Sequence, residues 1–316
     1  MREDDDIDAP GSTLRAYLEL LRIPNVFTAA ADVMMGYLVV QGTFQPYGPL
    51  MILVVASCCL YLAGMVFNDI FDRHVDADER PGRPIPSGRV PLIAARLLGA
   101  GLLCIALALA FQLSWKADNF RPLGLALGIG LLAITYDGWL KGTPLGPIAM
   151  GGCRFLNVLL GMSLLVEPYS GMHWMIAGGV GVFIAGLTIF ARGESGVSSR
   201  GRLVIATGIM LAGVAMVAIS PRFVGENQAW RLVGAPPAWP YFWLIFAAHL
   251  LWRNGRALLI PSSDHVQAAV KSGILSLIVI DAAASVPMAA LGAFSSMFIL
   301  LLIVPATFLG RWIYST

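Results

Sequence analysis

The stretch "FNDIFDRHVDADERPGRPIPSGR", residues 67–89, decides how this chain is read. It follows an apolar run that begins near Leu50 and carries no charge before Asp69. Roughly 18 or more apolar residues in a row are long enough to cross a bilayer as a helix. Comparable runs recur near 24–41, 92–112, 122–139, 145–165, 174–191, 203–220, 239–256, 268–290 and 293–313. Only 13% of the residues are charged and 57% are hydrophobic, against roughly 25% charged in a soluble domain. The expected fold class is therefore an all-α integral membrane protein. Backbone inside a bilayer must satisfy its own hydrogen bonds, so the runs are expected to form a single bundle of nine to ten transmembrane helices. Asp281 and Pro287 interrupt the ninth run and leave that count open. Residues 1–14, acidic from Glu3 to Asp8, read as a disordered tail, and residues 15–316 as the bundle.

Basic residues divide the loops into two sets. One set holds Arg73 to Arg89, Lys141, Arg192 to Arg202 and Arg253 to Lys271, whereas the other holds only Lys116, Arg121, Arg222 and Arg231. Positive residues stay on the cytoplasmic side, so the first set and the N-terminus are expected there, in the inner membrane if the cell is bacterial. Net charge is only +2, which gives no electrostatic case for nucleic acid. The four cysteines all lie in apolar runs without metal-ligand spacing and read as small packing residues.

The quoted stretch carries the chemistry. At about 100° per residue, positions four apart on a helix lie nearly above one another. Asn68, Asp72 and Asp76 then form a ladder of oxygen donors, with Asp69 on its flank. Such donors suit Mg²⁺, which bridges one or two carboxylates to substrate phosphates. Arg80, Arg83 and Arg89 follow, spaced by prolines that prevent a continuous helix. Arginine forks match phosphate oxygens, so an acidic ladder followed by arginines is what a metal-bridged diphosphate site requires. Arg154 and Asn157, three apart in the fifth run, share one face and are candidate pocket residues, with Asp32 a candidate buried partner for Arg154. Asp137 is read as an ion-pair partner of Lys141 at four-residue spacing.

"NDIFDRHVD" resembles the first aspartate-rich motif of the UbiA-type intramembrane prenyltransferases, and "RPGRPIPSGR" resembles the segment that follows it there. "YDGWLKG" and "GPIAMGGCRFLNVLLG" are similar to segments of the fourth and fifth helices, and the likeness runs over approximately residues 15–290. The resemblance implies Mg²⁺, an isoprenyl diphosphate donor, and a lipophilic, often aromatic, acceptor reached through membrane lipid. It carries over Asn68, Asp72 and Asp76, supported by Asp69, as metal ligands, and Asp72, Asp76 and Lys141 as catalytic residues. Asn25 is an acceptor-side candidate, and Arg80, Arg83, Arg89, Arg154, Asn157 and Arg192 are substrate-binding candidates.

The family's second acidic motif is altered here to "TIFARGESG", in which Glu194 is the one remaining carboxylate and Arg192 a candidate replacement for a second metal's charge. That change is most similar to the divergent EboC-type branch. Two readings stay open on the sequence: a prenyltransferase, and a non-catalytic prenyl-lipid binding or transport protein on the same scaffold.

Overall fold

A computed structural model describes residues 10–192, 199–224, 235–290 and 292–312. The described residues are helical and contain no strand. Helix α1 (Pro10–Leu20) leads through a 3-10 turn (Ile23–Asn25) into α2 (Val26–Gln41) and the long α3 (Tyr47–Glu79). Helix α1 thus takes in residues 10–14, which the sequence assigned to the tail. Then come α4 (Leu92–Ala117), α5 (Arg121–Thr135), α6 (Gly146–Gly161), α7 (Gly171–Ala191), α8 (Arg200–Ile219), α9 (Trp239–Leu259) and α10 (Ser263–Ser285). Two short helices, α11 (Ala293–Leu300) and α12 (Ile303–Leu309), complete the order.

Successive helices from α2 to α10 pack as neighbours, and α10 returns to α2, closing a ring in which α2 also packs on α6. Glycine permits the closest crossings. A Cβ at Gly161 would collide with the Val33 backbone and one at Gly36 with the Val158 carbonyl, so α2 and α6 touch backbone to backbone. Gly151 and Gly181 do the same for α6 and α7, as small residues do where hydrocarbon supplies no hydrophobic drive between helices.

Seven helices among the described residues are long and apolar enough to cross a membrane: α2 with its 3-10 turn, α3, α4, α5 with the turn that follows it, α7, α8 and α10. Helix α6 is only 16 residues long, and α9 carries Arg253 and Arg256 near its end. The last expected segment is a broken helix. It starts beside the far end of α2, where the Ala290 N–H donates to the Gly42 carbonyl at 2.7 Å, and finishes with Gly310 against Pro24. Asp281 does not interrupt α10; it is fully buried inside it, and the helix ends only at Ser285.

Helix α3 fixes where the polar chemistry stands. It runs 33 residues without a break, about 50 Å of helix, and a hydrocarbon core is only roughly 30 Å thick. Its last turns, from about Asn68 onward, therefore rise past the apolar slab. The helix stops at Glu79 because Pro81 disfavours helical geometry at Arg80, which turns out at φ −144°.

Candidate active site

Four segments meet at the charged end of the bundle. Helix α3 brings Asn68, Asp69, Asp72 and Asp76, and the loop after it brings Arg83. The chain ahead of α2 brings Arg22, and a π turn (Tyr136–Leu140) at the end of α5 brings Asp137 and Lys141. Arg22 adopts a left-handed backbone (φ 46°), uncommon for a non-glycine residue, and its side chain reaches α3. It donates to Asn68 Oδ1 at 3.3 Å and to Asp69 Oδ1 at 2.9 Å.

The acidic ladder splits in two. Asn68 Nδ2 donates to Asp137 Oδ1 at 2.9 Å, and Lys141 Nζ is ion-paired with Asp72. Asp76 instead joins Asp69 around Arg83, whose guanidinium lies 2.6 Å from Asp76 and 3.5 Å from Asp69. The cause is angular. Each four-residue step drifts by about 40°, so Asp76 has rotated nearly onto the Asp69 flank by the second step. The expected Asp137–Lys141 pair is also replaced. A π turn closes between the Lys141 N–H and the Tyr136 carbonyl (2.9 Å), so residues four apart no longer stack, and Lys141 reaches Asp72 on α3.

Below this mouth lies a cavity of about 230 Å³ between α2, α3, α5 and α6. Arg22, Asn68, Asp137 and Lys141 stand at its rim, and Leu60, Gly64, Met65, Ile129, Ala133 and Met150 form an apolar middle. Its deep end is polar again. Arg154 donates to Asp32 at 2.9 Å and to Thr28 at 2.8 Å, and lies over the Tyr61 ring at 5.5 Å. Asn157 donates to the same Asp32 oxygen at 2.9 Å and accepts from Ser57 at 2.6 Å. Asn25 reaches this wall by a hydrogen bond with Tyr61. Asp32 is thus the partner the sequence offered for Arg154.

The other arginines lie elsewhere. Arg80 is exposed at the end of α3, and Arg89 is held by Glu19 at 2.9 Å and the Gly82 carbonyl at 2.7 Å. Arg192 ends α7 and donates to the main-chain carbonyls of Lys141 and Thr143. Glu194 lies outside the described residues. Sequence reasoning missed Arg22 and did not give Asp137 its place at the rim. The available signal was position, because each flanks an apolar run on the face that holds the aspartates.

Among the described residues no three His, Cys, Asp or Glu side chains gather closely enough to hold a metal alone. Mg²⁺ does not require such a cage, since one or two carboxylates plus substrate phosphates suffice. The Asn68 amide with Asp72 and Asp137 beside it fits that partial donor set.

Residues 29–253 match the UbiA prenyltransferase family, well over half of the chain. The chain belongs to that family. Among curated relatives, the digeranylgeranylglyceryl phosphate synthase of Methanopyrus kandleri is 38% identical over 132 residues, 42% of this chain and 46% of that protein. The synthase of the same name from Sulfurisphaera tokodaii is 35% identical over 103 residues, 32% of this chain and 37% of that protein. The chain thus spans less than half the length of either relative. The UbiA fold is confirmed by solved structures. A UbiA homologue from Aeropyrum pernix superposes with a TM-score of 0.62 at 19% identity, covering 81% of this chain and 97% of its own. A homologue from Archaeoglobus fulgidus, bound to DMAPP and Mg²⁺, gives 0.53 at 14% identity, covering 84% and 98%.

Proposed function

We propose that this UbiA-family chain moves a prenyl group from an isoprenyl diphosphate to a lipophilic acceptor that enters from the bilayer. The observation that carries this is the cavity whose rim gathers Arg22, Asn68, Asp137 and Lys141 above an apolar wall. Asn68, Asp72 and Asp137 would hold Mg²⁺, which when bound supplies positive charge against the diphosphate. Lys141 and Arg22, at the rim, would meet the diphosphate oxygens as these gain charge when the carbon–oxygen bond breaks. Asp69 and Asp76 keep Arg22 and Arg83 in place. Arg83 is thereby the loop arginine best set to meet the diphosphate, ahead of Arg80 and Arg89.

Leu60, Met65, Ile129 and Met150 keep water from the allylic centre. Arg154, Asn157 and Ser57 close the deep end, and Asn25 supports the wall through Tyr61 on the acceptor side. From Asn68 down to Ser57 is 11 residues of α3, about 16 Å, which bounds the hydrocarbon length the cavity takes directly.

The ligands of the A. fulgidus homologue support the diphosphate and Mg²⁺ parts of this reading. The names of the two curated relatives, which specify a glyceryl phosphate product, support a lipid acceptor over an aromatic one. We further propose ten crossings with the N-terminus cytoplasmic, the broken α11–α12 unit supplying the tenth. The altered second acidic motif, "TIFARGESG", is what favours an EboC-type placement.

The test is diphosphate release from labelled prenyl diphosphates by purified protein in lipid nanodiscs. Mg²⁺-dependent release, lost in Asp72→Ala, is expected. Prenyl-diphosphate binding without release under any acceptor lipid would instead establish a carrier and refute catalysis.

A further inference from the structure

Position 192 lies between 190 and 194, where the family's second acidic pair is expected, and it holds a cation that donates to main-chain carbonyls. The Arg192 guanidinium donates to the carbonyl of Lys141 at 3.0 Å and to that of Thr143. Both carbonyls lie just past the end of α5 and its π turn, where the helix dipole is negative, and the Thr143 carbonyl also accepts from the Gly146 N–H at 3.1 Å. Pro144 cannot continue the helix, and the chain bends at once into α6. The notch that receives the guanidinium depends on Gly146, where a Cβ would stand 2.7 Å from the Arg192 nitrogen.

The same residue whose carbonyl is held carries its ammonium to Asp72. One connection therefore runs from the end of α7 through Arg192 to the Lys141 backbone, and from the Lys141 side chain to α3.

Building on the proposed function, we infer that Arg192 is a positioning residue. It fixes the backbone of Lys141, so that one placed ammonium serves where the family uses a second acidic set. Arg192 then acts only through Lys141. Removing it matters while Lys141 is present and adds nothing once Lys141 is gone.

A double-mutant cycle reads this directly, using wild type, Arg192→Met, Lys141→Met and the double variant in nanodiscs. Prenyl-diphosphate turnover and the binding of inorganic diphosphate with Mg²⁺ would both be measured. Arg192→Met is expected to lower kcat by on the order of tenfold or more, since misplacing a group by about 1 Å can cost a hundredfold. Arg192→Lys, which returns one donor to the notch, recovers part of that loss. In the Lys141→Met background the Arg192 change is expected to alter turnover and diphosphate binding by less than about twofold, the non-additivity of residues that act as a unit. Fold loss is checked by the melting temperature of each variant.

Equal effects of Arg192→Met in both backgrounds would overturn the inference, because Arg192 would then act independently of Lys141. So would an Arg192→Met protein with wild-type kcat. A wild-type protein that neither binds nor turns over prenyl diphosphate would instead refute the proposed function itself.

Discussion

Replacing Arg154 with methionine tests the deep network most directly. Asp32 is fully buried, and Arg154 and Asn157 supply the donors to its Oδ2, each at 2.9 Å. Among the described residues its Oδ1 and both oxygens of the equally buried Asp281 find no other donor, and the two carboxyl groups lie within hydrogen-bond reach of each other. Arg154→Met leaves two carboxylates facing one amide at membrane depth. Breaking a buried ion pair by removing one partner costs roughly 3–5 kcal/mol, and losing the contact over Tyr61 adds about 1–2. Adding Asp32→Asn removes the stranded charge while Asn157 stays in place. The double variant is thus expected to be at least about 2 kcal/mol more stable than the sum of the two single losses. Denaturant unfolding in detergent micelles, followed by tryptophan fluorescence, measures both quantities. A single-variant loss below about 1 kcal/mol, the range of an exposed surface pair, would refute the reasoning. Strict additivity of the two changes would do so as well.

The split ladder predicts that Asp72 and Asp76 are not equivalent. Asp72→Ala should lower Mg²⁺-dependent turnover by on the order of a hundredfold or more, as losing a charge-stabilising group at a reacting centre does. Asp76→Asn, which only loosens Arg83, should cost less than a tenth of that effect in the same assay. Asp137→Ala leaves the Asn68 amide without its acceptor and is expected to raise the Mg²⁺ concentration for half-maximal rate, read from a metal titration of turnover. Gly161→Ala pushes a methyl into the Val33 backbone and should destabilise the α2–α6 crossing by about 1–3 kcal/mol, measured by the same unfolding experiment.

Much of the fold was legible because apolar length and charge asymmetry are properties of single segments. The passage of α3 through its motif followed from an uninterrupted helix-forming stretch that ends only before Pro81. What stayed hidden lies between segments or in local departures from α geometry. Asp281 reads as an interruption of an apolar run, yet it sits beside Asp32, across from Arg154, which only the packing of α10 on α2 reveals. The π turn after α5 has no signature in hydropathy, and it redirects Lys141 from Asp137 to Asp72. Arg22 enters the site through a left-handed backbone that no periodicity anticipates.

The ladder shows the boundary sharply. Four-residue spacing keeps two side chains within about 40° of each other, but a third has drifted by about 80°. One helix can therefore aim two neighbouring oxygen donors at a point, and a third must come from elsewhere. In the proposed site Asn68 and Asp72 are the two, and the π turn would supply Asp137 as the third. Asp76, free of that duty, is left to hold Arg83 against the mouth. The spacing alone suggests a metal site on one helix, whereas the packing spreads the proposed donors over two segments.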